Sequence, residues 1–572
     1  MSAKWVDCGD GVRLELGVEC AMADGVVLAS DHYYPDQSKW GVGPHPTLLM
    51  RQPYGRDIAS TVVYAHPVWF ARHGYNVVIQ DVRGRGDSGG EFYPFRHERT
   101  DGAETIRWLR TRPESNGRVG MYGFSYQGLT QLLAAAEQPE GLFAIAPGMA
   151  ACDLYRGWFY HNGALRLASS LGWGLQMLKM DARRLGLREA TDRLERAWSA
   201  LPGQSTVLPF GKHPAIVDPA LPSYVRDWFA QTEAGAYWEA LDVSACLEQI
   251  DVPALHVSGW YDTYLKGTID GYLALRKHAA TEFARENQYL LAGPWVHIPW
   301  GDRIGEVNFG AEALLDTDTV LLRWFDHWLK GDDSFAHEPR VRHFALFENK
   351  WHGAENWYGQ QEMKLHLFSN GRANSRKGDG VLQLEAPEGE APCDVFVYDP
   401  EVPVVAPGGP ASMSGATNQA AVEMGNNVLV YTTEPLLEDV AVFGSPRLVL
   451  WCAASAESTD FTGKLVRVRV DGIADFVCIG IARSSYLFGD SYKPDAVMKW
   501  EFELEPTSCR FTSGEQIRLE IASSAFPLYD RNPGTRVQSA EATSWDWKRS
   551  TQFVFHDGER PSVLYLPLRG DA

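Results

Sequence analysis

The sequence predicts an α/β domain with an inserted helical cap, followed by an all-β domain of jelly-roll type. Three observations carry this. Short apolar runs alternate with helical stretches up to about residue 150 and resume near residue 246. A tryptophan-bearing helical stretch interrupts that alternation. From about residue 350 the helical period disappears, and short strands separated by Gly, Pro, Asn and Asp turns take over. Strands alternating with helices imply right-handed βαβ units in an open parallel sheet, whereas short strands at regular spacing imply a sandwich.

The elements follow in order. Residues 12–18 and 26–34 flank an Asp24-Gly25 turn and read as a β-hairpin. Residues 47–50 and 75–80 are short apolar runs of the kind buried on both faces of a parallel sheet. Residues 101–111 place Ala103, Ile106, Trp108 and Leu109 at helical spacing. A β-prone run at 119–122 meets Gly123, Phe124, Ser125 and Tyr126, and Gly128 opens a helix through Leu132 to Ala136. Residues 142–146, 254–257 and 289–292 continue the strand series, and 317–329 reads as its closing helix. Amphipathic runs at 165–178 and 188–201, with Trp158-Phe159-Tyr160 before them, form a cap over the carboxyl edge of the sheet. The division expected is 1–150 with 246–350 as the catalytic domain, 151–245 as the cap and 351–572 as the jelly roll. Within the last, 363–368, 448–452, 465–470, 516–521 and 552–555 read as strands, and the polar 369–392 as an exposed loop.

Composition narrows the function classes. A chain of 572 residues makes three or four units at roughly 150 residues each, and 45% hydrophobic with 22% charged residues is ordinary globular usage. Its 20 Trp, 23 Tyr and 25 Phe suit large cores and an aromatic-lined pocket. A formal net charge of −20 with no basic patch argues against nucleic acid and anionic membranes as partners. The N-terminus lacks an apolar leader and no run of 18 apolar residues occurs, so a soluble, cytoplasmic protein is expected. Eight scattered cysteines without CxxC pairs give zinc or redox chemistry no support; reduced, mostly buried thiols are expected.

A serine between a buried strand and a helix is forced through a sharp turn, which presents Ser125 at the carboxyl edge of the sheet. Asp262 follows the strand-like 255–261, and His297 follows 290–296, each just past a strand end. Reactive residues gather at such ends, and the order Ser, Asp, His is that of α/β-hydrolases. The three types fit one chemistry. A hydroxyl is a weak nucleophile, an imidazole takes its proton, and a carboxylate fixes the imidazole tautomer. The serine motif departs from G-x-S-x-G, since Gln127 stands where the second glycine is usual. Gly86-Asp87-Ser88-Gly89-Gly90 fits that pattern better, but Glu91-Phe92-Tyr93-Pro94 follows instead of a helix start. Ser88 is therefore read as a loop residue. Trp158, Phe159, Trp260 and Trp295, together with Trp300, are the aromatic candidates for a substrate pocket, with core packing as their alternative role.

Five blocks together resemble a known family: Arg51-Gln52-Pro53-Tyr54, the 81–92 stretch from Asp81 to Phe92, Gly123-Phe124-Ser125-Tyr126-Gln127-Gly128, Gly259-Trp260-Tyr261-Asp262 and Gly293-Pro294-Trp295-Val296-His297. They look like the signature blocks of the CocE/NonD hydrolases, which include cocaine esterase, α-amino acid ester hydrolases and X-prolyl dipeptidyl aminopeptidases. The resemblance covers nearly the whole chain, and the displaced glycine is that family's own pattern. It implies an oxyanion hole made by the Tyr126 backbone N–H and the Tyr54 hydroxyl. Asp81 and Arg83 are read as ion-paired structural residues of their loop.

The leading expectation is a serine hydrolase acting on a small-molecule carboxylic ester through an acyl-enzyme, with no metal or organic cofactor. An amide-cleaving relative, either a peptidase or a β-lactam acylase, keeps the same machinery. A non-catalytic carbohydrate-binding protein is the alternative of another class. The residues after Asp262 are Thr263, Tyr264, Leu265 and Lys266, none acidic, and Asp153 is read as a helix cap. A bound ammonium needs nearby negative charge, so neutral, apolar acyl groups are expected. Oligomeric state does not follow from the sequence; a homodimer is admissible.

Overall fold

The computed structural model describes residues 4–57, 61–357, 361–410 and 415–570. Its first fifteen strands are β1 (Lys4–Asp7), β2 (Arg13–Ala21), β3 (Val27–Tyr34), β4 (His45–Gln52), β5 (Asn76–Asp81), β6 (Ser115–Phe124), β7 (Leu142–Gly148), β8 (Tyr160–His161), β9 (Ala164–Leu165), β10 (Ala254–Tyr261), β11 (Gln288–Val296), β12 (Arg303–Ile304), β13 (Val307–Asn308), β14 (Val341–Ala345) and β15 (Lys350–Ala354). Eleven of them make one sheet in the order β1-β2-β3-β5-β4-β6-β7-β10-β11-β14-β15. The run from β5 through β14 is parallel, flanked by antiparallel partners at both sides. Its central strands are buried on both faces, as β5, β10 and β11 show along their whole length, so their continuous apolar sequence is what a parallel sheet requires.

The two faces bury against different partners. On one, Ile106, Leu129 and Met121 join cap residues such as Leu171, Leu175 and Trp228 in a single apolar cluster. On the other, Val257, Leu291 and Trp260 run without a break into Leu365, Phe443 and Leu519 of the C-terminal all-β domain. The cap is built on the helix Leu167–Arg184, which buries Leu171, Leu175, Leu178 and Ala182. This helix passes the expected end at 178 and stops before Gly186, whose φ of 71° no ordinary residue adopts comfortably. The helices Arg188–Ser199 and Tyr224–Ala230 complete it, with Trp173 stacked on Trp228 at 5.0 Å.

The all-β domain runs from the strand Gln361–Phe368 to Val563–Leu568, its strands almost all antiparallel. One expectation is corrected here. Residues 369–392 are not loop throughout, because Val381–Gln383 pairs with the end of Gln361–Phe368 and buries Leu382. Val381, Leu382 and Leu384 inside a polar run were too short a signal for a strand.

Six of the eight free cysteines are buried, and Cys8 and Cys393 are half-buried. Among the described residues no helix is long and apolar enough to cross a membrane.

Candidate active site

β6 ends at Phe124 and the helix Tyr126–Ala135 begins two residues later, so Ser125 alone makes the turn, at φ 61° and ψ −128°. A positive φ at a serine costs about 1–3 kcal/mol and persists only where its surroundings fix it. Here Ser125 N–H donates to the Gly148 carbonyl at 2.8 Å, and the Ser125 carbonyl accepts from Gly128 N–H at 2.9 Å. Gly128 lets that helix lie against β7: an added Cβ would sit 2.6 Å from the Gly148 carbonyl oxygen and 2.7 Å from Ala150 Cβ. This close approach explains why the second glycine stands three residues after the serine. The Gln127 position in between is needed for its side chain, whose Oε1 accepts from Phe124 N–H at 3.3 Å.

The side chain of Tyr126 points into the core. Its hydroxyl donates to Glu98 Oε1 at 2.8 Å and accepts from Phe95 N–H at 3.1 Å. Glu98 in turn pairs with the buried Arg51 at 2.6 Å. The helix start is thereby anchored from below, and the Tyr126 N–H is the first of the helix's N–H groups, which as a class lack intrahelical acceptors.

Asp262 and His297 meet through strand register. Tyr261 of β10 is level with Val296 of β11 in a parallel pair, so the next residue of each strand emerges side by side at the carboxyl edge. His297 Nδ1 lies 2.6 Å from Asp262 Oδ1. Asp262 is fully buried and its other oxygen accepts from Tyr264 N–H at 3.1 Å. An Nδ1–H donated to the carboxylate leaves Nε2 as the acceptor. Phe124 packs on the imidazole at 5.4 Å, Tyr264 meets it edge-on at 5.2 Å, and Trp300 Nε1–H donates to the His297 carbonyl at 3.1 Å.

Tyr54 follows β4 by two residues, its N–H held by Gln52 Oε1 at 3.1 Å. Burial pushes its phenol up to about 12, against the lowering pull of the Trp173 side chain, the Arg85 charge and the Ser125 hydroxyl. The phenol therefore keeps its proton at neutral pH, with the Ser125 hydroxyl among the groups that act on it.

The aromatic candidates divide. Trp158 stacks on Tyr264 at 3.9 Å, one ring away from His297. Phe159 packs against Trp228 and Trp238 at 4.7 and 5.0 Å, inside the cap. Trp260 donates to the Phe344 carbonyl and Trp295 to the Ala313 carbonyl, each fixed in the core by its indole N–H. Trp295 reaches the site only as a layer behind Trp300, on which it stacks at 5.3 Å. Trp260 and Trp295 each stand two residues before Asp262 and His297, yet their indoles are held in the core, so nearness in sequence did not mean nearness in space. Trp173 and Tyr264 line the site without having been singled out as pocket residues; Trp173 lay hidden in an amphipathic helix pattern.

Comparison with known proteins places the chain. The model of the S15 family of X-Pro dipeptidyl-peptidases matches residues 24–299, and that of the X-Pro dipeptidyl-peptidase C-terminal non-catalytic domain matches residues 333–565. The cocaine esterase of a Rhodococcus species is 32% identical over 96% of this chain and 97% of its own. The chain belongs to the CocE/NonD family. A solved α-amino acid ester hydrolase resembles this CocE/NonD chain over 99% of its length and 98% of the other's, with a TM-score of 0.79 and 25% identity. An aminopeptidase from a marine sediment Thaumarchaeota archaeon shares the fold over 100% and 99%, with a TM-score of 0.82 and 24% identity.

Other residues of the CocE/NonD signature have structural partners. Asp81 pairs with Arg56 at 2.5 Å, and Arg83 with Asp101 and Asp24 at 2.7 and 2.6 Å. Ser88 is fully buried; its hydroxyl donates to the Asp81 carbonyl at 2.7 Å and accepts from Ala29 N–H at 2.9 Å. Asp153 accepts from Arg156 N–H at 2.8 Å and pairs with the Arg156 side chain at 2.6 Å. Lys266 is engaged by Asp270 and Glu503 at 2.9 and 3.3 Å.

Proposed function

We propose that this protein hydrolyses carboxylic esters of neutral, apolar acyl groups through an acyl-enzyme on Ser125. The observation that carries this is the junction of three strand ends: Ser125 strained outward beside the Tyr54 phenol, and His297 bonded to the buried Asp262 at 2.6 Å. His297 Nε2 takes the proton of Ser125 as Oγ attacks the ester carbonyl. The developing oxyanion is held by the Tyr54 hydroxyl and the Tyr126 N–H. Imidazolium, stabilised by Asp262, then protonates the departing alcohol, and water repeats the sequence on the acyl-enzyme. Similarity to cocaine esterase supports ester cleavage. The aromatic surround of Trp158, Trp173, Tyr264 and Trp300 supports an apolar acyl group. We assign 1–150 with 246–350 to catalysis, 151–245 to the cap and 351–572 to a jelly roll.

The match to X-Pro dipeptidyl-peptidase models favours a second reading, amide cleavage at the same serine. A panel of acyl p-nitrophenyl esters and matching p-nitroanilides separates the two, with Ser125→Ala as control. Turnover of esters that vanishes in the variant is expected; anilides cleaved faster than esters would select the peptidase reading. The acyl preference has its own test. Asp153, the carboxylate considered for holding an ammonium, is instead bonded to Arg156. Phenylacetic acid methyl ester should therefore match or exceed protonated phenylglycine methyl ester in kcat/KM; a preference above about tenfold for the amino ester, equal to about 1.4 kcal/mol, would overturn it.

A further inference from the structure

We propose that Asp530 of the all-β domain is a positioning residue for the substrate pocket: it grips the hairpin β8–β9, which joins the two cap tryptophans that border the catalytic residues. This rests on the reading of Trp158 and Trp173 as walls of the acyl site.

The hairpin stands between the two rings in the chain. Trp158 lies two residues before β8, and Trp173 is the seventh residue of the helix Leu167–Arg184 that follows β9. Arg166 N–H donates to the Phe159 carbonyl at 2.8 Å and closes the base of the hairpin, so both arms leave from one point. The two rings meet again at 5.9 Å. There Trp158 stacks on Tyr264, the ring that faces His297, and Trp173 lies 6.2 Å from the ring of Tyr126. Asn162 and Gly163 make the hairpin turn at φ 45° and 87°, the two positive values that a tight two-residue turn of this kind requires.

What holds this hairpin is the all-β domain. Asp530 Oδ1 accepts from Leu165 N–H at 2.7 Å, and Asp530 N–H donates to the Leu165 carbonyl at 2.9 Å, so one residue holds both backbone groups of the other. The buried Asp530 carboxylate is itself fixed by Arg483, whose Nη1 and Nη2 each donate to it at 3.0 Å. Arg483 N–H in turn donates to the Asn162 carbonyl at 3.0 Å, and Asn162 Nδ2 donates to the Ile481 carbonyl at 2.9 Å. Past the hairpin, Arg166 pairs with Glu505 at 2.6 Å and Ala168 N–H donates to the Pro527 carbonyl at 3.1 Å. A charged acceptor holds a backbone N–H more firmly than a neutral one. Ser125, Asp262 and His297 instead leave from strand ends of the catalytic sheet. Loosening Asp530 therefore shifts the aromatic walls more than the reacting groups. An acetyl group needs little of those walls and a phenylacetyl group needs much, so Asp530 governs selectivity among esters.

The test uses full-length Asp530→Ala, Asp530→Asn and Asn162→Gly, each assayed for kcat/KM on p-nitrophenyl acetate and p-nitrophenyl phenylacetate. In Asp530→Ala, Arg483 keeps Asp460 as a partner at 2.9 and 2.8 Å, so no cation is abandoned. Its preference for the phenylacetyl over the acetyl ester should fall about tenfold, whereas a mere loss of folded protein would lower both alike. Asp530→Asn, which keeps an acceptor for Leu165 N–H, should restore the preference to within about threefold of wild type. Asn162→Gly keeps the turn, because glycine takes positive φ freely, but loses the bond to Ile481; its preference should fall about threefold. It decides alone if Asp530→Ala does not fold. An unchanged preference in the deciding variant, or equal preferences in the Ala and Asn variants, overturns the proposal. Trp173→Ala run alongside separates the levels. A preference unchanged there removes the reading of the aromatic walls and this inference with it; a preference lost there but kept in Asp530→Ala removes this inference alone.

Discussion

A phenol helps an oxyanion only while it carries its proton. Burial pushes Tyr54 up to about 12, so it remains a donor across the working range, and the Ser125 hydroxyl is among the groups acting on its oxygen. The donor is needed most when the carbonyl oxygen has become anionic, so its loss falls on the transition state. Tyr54→Phe should lower kcat by roughly 10²–10³, with KM little changed. Steady-state kinetics on a p-nitrophenyl ester checks this; a change confined to KM would make Tyr54 a pocket residue. Ser88 shows the contrast at the same scale. It satisfies a nucleophile motif, but its hydroxyl is consumed by Asp81 and Ala29 inside the protein.

At the scale of elements, the turn from β6 into the helix Tyr126–Ala135 depends on space as much as on hydrogen bonds. An added methyl at Gly128 would meet backbone at 2.6 Å, which neither β7 nor the helix can yield cheaply. Gly128→Ala should therefore tilt the helix, displace the Tyr126 N–H and lower both stability and kcat, by about 1–3 kcal/mol in stability. Gly203→Ala is the control, because nothing lies within 4 Å of its added Cβ. Thermal melts and kcat of the two variants should diverge; equal behaviour would show that the close approach is not what seats the serine.

For the whole molecule, buried carboxylates in different domains give stability opposite pH dependences. Asp394 in the all-β domain is penalised by burial, but hydrogen bonds from His556, Tyr431, Ser369 and Ala373 win and leave it below its ordinary value. Its contribution is present above the unfolded value of about 3.9 and is lost as pH falls through the lowered folded value. Asp242 at the base of the cap accepts from Leu154 N–H at 2.8 Å and from Ser244, but burial dominates and raises it to about 6. Its contribution is complete below about pH 4 and is lost as pH rises through about 6, by roughly 2–3 kcal/mol. Denaturant midpoints at pH 5 and 8 should therefore fall in the wild type and fall less in Asp242→Asn. Equal pH dependence of the two would refute the assignment.

By itself the sequence determined the alternation of strands and helices, the break at the cap, the change to an all-β texture, and the three strand ends that carry Ser125, Asp262 and His297. Those features are local: apolar runs, turn residues and spacing express them one segment at a time. Only the tertiary structure decided that Asp262 and His297 touch, because that follows from the register of β10 against β11. It also decided that Trp260 and Trp295 serve the core while Trp173 and Tyr264 face the site, since the face a side chain takes depends on what packs behind its strand or helix. The short strand Val381–Gln383 and the Arg166–Glu505 pair were illegible for the same reason. Nothing in either segment names its partner, least of all for Arg166 and Glu505, which stand far apart in the chain.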